Sequence, residues 1–368
     1  MIRLLSIGIG RGHPFYLDGI AHALRDREGA PEFRYSNVFE RSDSLALAGW
    51  KAMRGMYRQG GRNASGVRLY GGARALGSGL VGEWGARALC RSLRRWIDPA
   101  DVCVVDHPIL AMGLRGVSKL FYQHGELGVP PECIVRGEHR ILVPTPAAAQ
   151  AFRAGGMDAS AVLVTGLCIE PDLLRDASQW TADRRRRHAG EGPLCVAVFS
   201  SGAEPEVHVA RLVLGLHSLA QEGHRAQVFA RRGGVLAGRI PALPGIETIL
   251  YSGREELDIR TAERFPVFDA IFSPAHERSN WGLGLGLPFV IVGPDVGPFP
   301  PRNRVVLNQA GVSRAVDSDG AARKLGTDLS AWRRSGALQT MSRCGEGPPT
   351  DGFSNAARML LDAGLRPG

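Results

Sequence analysis

Two α/β domains built on parallel sheets are predicted by three observations. The first nine residues, MIRLLSIGI, form an apolar run that breaks at Gly8-Ile9-Gly10-Arg11-Gly12-His13 and becomes Pro14-Phe15-Tyr16-Leu17, with apolar positions 17, 20, 21 and 24 at helical spacing. This plan of buried strand, glycine turn and helix starts again at residue 194. Around both starts, short apolar runs alternate with helical stretches, the signature of parallel strands joined by right-handed crossovers. At 368 residues the chain exceeds one ordinary core and suits two domains. The reading gives an N-terminal domain at 1–168, a linker at 169–193, a C-terminal domain at 194–345 and a tail helix in 346–368.

In chain order, residues 33–39 read as a second strand, and 44–97 as glycine-punctuated helices stopped by Pro99. Residues 101–106 form a buried-strand pattern ending in Asp106-His107-Pro108, residues 119–123 one ending in His124-Gly125-Glu126, and residues 140–143 one ending in Pro144-Thr145-Pro146. A fourth runs through Val162 to Gly166. In a parallel sheet these ends fall along one edge, where ligands of open α/β sheets bind. That edge would gather His13, Asp106, His107, His124, Glu126 and Thr145.

From 171 to 193 the sequence turns polar, and the four arginines 184–187 read as a solvated linker face, with a phosphate or acidic-lipid contact as the alternative. A new buried strand at 194–199 ends in Ser200-Ser201-Gly202, and the helix after it has apolar positions 209, 212, 213 and 216. Further strands are expected at 225–229, 245–251, 270–273 and 288–292, and a last helix at 355–363. Both halves carry small or polar groups at their strand ends, so they are expected to face one another across a shared cleft.

Hydrophobic content of 44% and charged content of 22% are those of a soluble globular chain. No run approaches the ~20 apolar residues of a membrane span, and Met1 leads straight into a strand, so a cytoplasmic protein is expected. Six cysteines without a C-x-x-C pair read as buried reduced thiols. The net charge of +9 is carried by arginine, since lysine occurs only at 51, 119 and 324. Between 44 and 82 stand Lys51, Arg54, Arg58, Arg62, Arg68 and Arg74 and no acid, with Leu47, Trp50, Met53 and Tyr57 on one helical face. This fits a peripheral contact with an anionic membrane face or an anionic substrate, and equally a solvated helix and loop. Nucleic acid is not expected, because the basic stretch is local and carries no binding motif.

The first glycine turn approaches a dinucleotide fingerprint, but His13 takes the third glycine position; a dehydrogenase with Glu40 on a ribose is the alternative it leaves open. Gly10-Arg11-Gly12-His13 followed by a small-residue helix resembles the opening loop of GT-B glycosyltransferases of the MurG and monogalactosyldiacylglycerol synthase group. The same order of features continues through Val162-Leu163-Val164-Thr165-Gly166, the turn Ser200-Ser201-Gly202 and Leu250-Tyr251-Ser252-Gly253. It ends in the segment 269–303, with Gly284-Leu285-Gly286-Leu287-Pro288 and Asn303. The resemblance implies two Rossmann-like domains of the GT-B fold. It further implies transfer of a sugar from a nucleoside-diphosphate sugar, a UDP-sugar foremost, to an acceptor hydroxyl by an inverting, metal-independent reaction without a further cofactor; the basic, Trp-containing stretch 44–82 favours a lipid or other membrane-borne acceptor.

The resemblance also assigns roles. His13 would be the base, since an imidazole of ordinary pKa near ~6.5 is largely neutral at working pH, with Asp106 or Glu126 orienting or replacing it. Gly12 and the backbone N–H groups of Ser200, Ser201 and Gly202 at a helix start would meet the donor, with Tyr251 and Ser252 near its base. The group's donor glutamate falls at Trp281 and its glutamine at Phe299, so the donor site is rebuilt. His276, Glu277 and Asn280 can hold hydroxyls there, Asn303 keeps its place, and Arg278 or Arg302 can pair with phosphate. Trp281 reads as core rather than a stacking platform. Two rivals are 2-epimerisation of a nucleotide sugar and a non-catalytic nucleotide-sugar-binding protein.

Overall fold

The computed structural model describes residues 1–8, 12–27, 32–60, 82–117 and 119–365. Ile9, Gly10 and Arg11 of the first turn, and Arg62, Arg68 and Arg74 of the basic stretch, lie outside the described residues. Two compact units emerge, one comprising 1–60, 82–171 and 349–365, the other 172–348.

Unit 1 is a parallel sheet of β1 (Ile2–Ser6), β2 (Phe33–Asn37), β3 (Val102–Val105), β4 (Leu120–Gln123), β5 (Arg140–Val143) and β6 (Val162–Val164), in the order β2-β1-β3-β4-β5-β6. Unit 2 holds β7 (Cys195–Phe199), β8 (Arg225–Arg231), β9 (Ile246–Tyr251), β10 (Ala270–Ser273), β11 (Phe289–Val292) and β12 (Ser313–Val316), in the order β12-β11-β10-β7-β8-β9, again parallel. The central strands β1, β3, β7, β10 and β11 are buried along their whole length. That is why they read as continuous apolar runs rather than alternating ones. β12 has only two buried positions, Ser313 and Val316, and leaves no such run in the sequence.

The helices that matter for the site are α1 (Gly12–Arg25), α2 (Ser44–Gly60), α3 (Pro108–Gly113), α4 (Ala177–Ala189), α5 (Glu206–Gln221), α6 (Ser279–Gly284), α7 (Pro300–Gln309) and α8 (Gly352–Leu365). α1 buries Leu17, Ile20 and Leu24 with Ile2 and Leu4 of β1. Each such side chain contributes about 1.5–3 kcal/mol by leaving water. α8 belongs to the same unit: its Phe353 meets the Phe15 ring edge to face at 5.6 Å. A Cβ at Gly19 would lie 2.2 Å from the Phe353 ring, so only glycine lets α8 dock on α1.

Two local expectations are corrected, and a third is met in part by packing. β2 stops at Asn37, whose side chain caps the helix Val38–Arg41 while Glu40 reaches back to the Asn37 N–H. Glu40 is thus the third residue of a capping box, not a ribose ligand at a strand end. The apolar face of α2 turns inward: Trp50 is fully buried, Leu47 and Met53 are half-buried, and Gly49 abuts Leu89. Packing against the helix at 83–89 accounts for Trp50 on that face; the Tyr57 side chain and most of the basic stretch lie outside the described residues. The four arginines are no solvated linker face. They lie on α4, where Arg184 is fully buried and donates to Phe268 O at 2.8 Å, Leu285 O at 2.6 Å and Gly286 O at 3.3 Å. Arg187 pairs with buried Asp269 at 2.7 Å, and only Arg186 of the run has its side chain largely in solvent.

Candidate active site

In each sheet the strand order reverses once, between β1 and β3 in unit 1 and between β7 and β10 in unit 2. Crossovers leave such a point on opposite faces of the sheet, which opens a crevice at the carboxyl ends of the two strands. The chemically capable side chains of this chain collect at these two places.

In unit 1 the register pairs Leu5 with Val105, so the turns after β1 and β3 leave side by side. His13, in the first turn of α1, has Nδ1 2.7 Å from the backbone oxygen of Asp106. A carbonyl only accepts, so Nδ1 carries the hydrogen and Nε2 is the basic nitrogen. His107 caps α3, its Nδ1 accepting from Ile109 N–H at 3.2 Å, which assigns it the opposite tautomer with the hydrogen on Nε2. The two rings meet edge to face with centroids 4.7 Å apart. A base and a donor thus stand next to one another.

The Asp106 carboxyl is 1% exposed. Its Oδ1 accepts from Ile7 N–H at 3.0 Å, while Oδ2 finds no partner among the described residues. Burial pushes its pKa up to about 7, against the hydrogen bonds from Ser6 and Ile7 that favour the charged form. Since the folded value exceeds that of the unfolded chain, the native state binds an extra proton between pH ~4 and ~7, and stability falls as pH rises through that window. Asp106→Asn keeps an acceptor for Ile7 and removes the ionisation. It is expected to stabilise the fold by on the order of 3 kcal/mol at pH 8 and by little at pH 4. Thermal melts across that range check this; a gain independent of pH would refute it.

His124 and Glu126 follow β4, both buried. The His124 Nε2–H donates to Gly128 O at 3.3 Å and Nδ1 accepts from the Tyr122 hydroxyl at 3.4 Å. Burial pushes its pKa down to about 3, so this ring stays neutral. A Cβ at Gly125 would lie 2.1 Å from the Tyr16 ring, so glycine lets the turn bearing Glu126 close on α1. Gly12, half-buried, begins α1.

In unit 2, Ser200, Ser201 and Gly202 form the turn after β7, but α5 begins only at Glu206. These three residues are therefore not the first turn of a helix, as the sequence had suggested. The Ser200 and Ser201 hydroxyls are buried and find no partner among the described residues. After β10 come His276, Glu277 and Arg278, the last two joined as a buried ion pair at 2.8 Å. Asn280 Nδ2 donates to Glu277 O and Asn303 Nδ2 to Ala275 O, each at 2.9 Å. Both amides thereby fix the 274–278 turn. Arg302 donates to Pro298 O at 3.3 Å, holding the loop before α7. Trp281 is core: its ring lies 5.8 Å from Phe199 and 5.5 Å from Phe265. Phe299 is buried as the residue preceding α7. Tyr251 and Ser252 end the edge strand β9, two strands from the reversal, and the Ser252 N–H is taken by Glu256 at 2.8 Å.

Some contributors escaped the sequence reading. His208 on α5 donates from Nε2 to Pro294 O at 2.6 Å, and burial pushes its pKa down to about 4. Arg304 bridges Asp295 at 3.0 Å and Asp317 at 2.8 Å beside the same loop. Their only sequence signal is a charged residue within a helical pattern. Among the described residues no group of three or more His, Cys, Asp or Glu has metal-binding geometry, and no helix is long and apolar enough to cross a membrane.

No family model matches the chain, and no curated protein matches it in sequence. Solved structures match it in fold. A protein described as a UDP-N-acetylglucosamine 2-epimerase from Listeria monocytogenes superposes with a TM-score of 0.59 at 14% identity, over 98% of this chain and 94% of that one. MurG from Acinetobacter baumannii gives 0.54 at 11% identity over 98% and 99% of the two chains. The spinosyn rhamnosyltransferase SpnG, solved with thymidine diphosphate, gives 0.53 at 14% identity over 98% and 99%. The chain has the GT-B fold of two Rossmann-like units.

Proposed function

We propose that the protein is a glycosyltransferase that moves a sugar from a nucleoside-diphosphate sugar, a UDP-sugar foremost, to an acceptor hydroxyl, as in the MurG and monogalactosyldiacylglycerol synthase group its sequence resembles. The observation that carries this reading is the 2.7 Å contact between His13 Nδ1 and the Asp106 backbone oxygen, which leaves Nε2 as a fixed base at the strand-order reversal. Nε2 takes the acceptor proton as the acceptor oxygen bonds to the anomeric carbon. The bond from that carbon to the diphosphate breaks, and its electron pair leaves on the phosphate oxygen. A single displacement of this kind inverts the anomeric centre, and the imidazolium afterwards returns its proton to solvent. Donor-binding groups are those at the ends of β7 and β10 in unit 2.

A second reading, 2-epimerisation, is favoured by Asp106. A carboxyl whose pKa is pushed up to about 7, at the strand end whose backbone oxygen also holds His13, gives a second group able to hold a proton at neutral pH. Inverting a sugar C2 requires breaking and remaking its C–H bond. Thermal-shift titration with UDP, GDP, TDP and ADP and their glucose esters, against NAD and NADP, tests the shared premise. A rise with one nucleotide-sugar series alone supports it; a rise with NAD alone, or none, sinks it. Incubating the bound sugar nucleotide in D₂O then separates the readings. Deuterium at C2 supports epimerisation, and release of nucleoside diphosphate without deuterium supports transfer.

A further inference from the structure

Arg278 has an unused binding edge. Its Nη1 donates to Glu277 Oε1 at 2.8 Å, whereas Nε and Nη2 are buried and find no partner among the described residues. Nε–H and the adjacent Nη2–H form the side-on fork of the guanidinium, two parallel donors that match two oxygens of one phosphate or carboxylate. The residue is 4% exposed, and its guanidinium carbon lies 3.9 Å from the Phe199 ring centroid and 5.3 Å from that of Trp281. Aromatic contact therefore fixes where the fork sits. A charged donor pair left unmatched in so dry a place is costly, and an oxyanion removes that cost. Three further hydroxyls that find no partner among the described residues stand at the same strand ends: Ser200 and Ser201 after β7, and Ser279 next to Arg278.

Charge balance selects the anion. Glu277 neutralises Arg278, and His276, held below the usual imidazole range by burial, adds no charge at neutral pH. Residues 276–278 thus carry no net charge before a ligand arrives. A singly charged oxyanion leaves one net charge there and a dianion leaves two, at a steeply higher desolvation cost.

We propose that the Arg278 fork, with the Ser200, Ser201 and Ser279 hydroxyls, is a site for a singly charged, esterified phosphate and discriminates against a doubly charged terminal phosphate. This rests on the nucleotide-sugar reading for its physiological ligand: both phosphates of such a donor are esterified, while the nucleoside diphosphate that leaves ends in a terminal one, with close to two charges at neutral pH. The site would then hold the donor and release the product.

The test is a ³¹P NMR titration of the full chain with dimethyl phosphate, a monoanion, and methyl phosphate, a dianion at pH 8. Wild type is expected to bind dimethyl phosphate preferentially. Arg278→Lys, which keeps the charge and loses the fork, should weaken dimethyl phosphate about tenfold or more. Glu277→Gln retains a side-chain oxygen for Nη1 and should shift the preference about tenfold towards methyl phosphate, a selectivity change that a merely structural role would not produce. Should Arg278→Lys fail to fold, the Glu277→Gln selectivity still decides. Equal binding of dimethyl phosphate by wild type and Arg278→Lys, or a wild-type preference for methyl phosphate, overturns the site. If dimethyl phosphate binds as expected and no sugar nucleotide does, the nucleotide-sugar reading falls and the site stands. If a sugar nucleotide binds wild type and Arg278→Lys alike, the site falls and that reading stands.

Discussion

His13→Ala is expected to lower turnover of the sugar nucleotide by about 10²–10⁴-fold, the usual worth of a positioned acid–base group, while leaving donor affinity within about twofold. The split follows from placement. His13 belongs to unit 1, where its Nδ1 is tied to the Asp106 backbone, and the candidate donor ligands belong to unit 2. A half-buried side chain in the first turn of a 14-residue helix is also a small part of the fold. Steady-state kinetics beside calorimetric titration of the donor give both quantities. Unchanged turnover would remove His13 from the chemistry, and a parallel loss of affinity would make it a binding residue.

Arg184→Met is expected to cost unit 2 about 3–5 kcal/mol, lowering its melting temperature by roughly 10 °C. The guanidinium serves three backbone oxygens, at Phe268, Leu285 and Gly286, and the Thr181 hydroxyl donates to Leu285 O as well, at 3.1 Å. Burial pushes the Arg184 pKa down to about 9, still well above working pH, so the group remains a cation. Removing it takes the guanidinium from Gly286 O and leaves Phe268 O to Arg187 Nη2 at 3.3 Å and Leu285 O to the Thr181 hydroxyl alone, besides opening the space the buried side chain fills. Arg186→Met, two residues on, is the control: that side chain is 76% exposed and is expected to change stability by less than about 0.5 kcal/mol. Equal effects of the two substitutions, by differential scanning calorimetry, would refute the assignment.

These two arginines mark where sequence reading ran out. Four arginines in a row look alike to any local pattern, and the partners that distinguish Arg184 lie 84 and 101 residues away. The same blindness applied to α2: spacing reveals that Leu47, Trp50 and Met53 share a face, not that the chain from 83 to 89 comes back to cover it. Glu40 is a different kind of miss. Asn37 and Glu40 carry the spacing of a capping box, but a strand drawn through Phe39 hid it. What was legible depended on burial from both faces. Strands such as Val102–Val105 can be nothing but apolar, so their ends, and with them His13, Asp106, Glu126, Ser200 and Arg278, could be placed from sequence alone. The tautomers, the burial of Asp106 and the side-on edge of Arg278 needed distances that no spacing supplies.

The return of α8 to α1 has a consequence for how the protein is made. Leu167 N–H donates to Pro349 O at 2.7 Å and Gly352 N–H to Leu167 O at 3.1 Å, so the chain leaves unit 1 and re-enters it at one spot. Residues 172–348 are, in connectivity, an insertion into the other unit. On the ribosome residues 1–171 emerge before 172–348, yet Leu17, Ile20 and Leu24 of α1 lack the cover of Phe353 and Leu360 until the whole intervening unit has been made. Synthesis must therefore deliver one complete unit while the strands and helices before residue 172 wait with an open apolar seam, and that interval is where nascent chains are most exposed to chaperones and to misassembly.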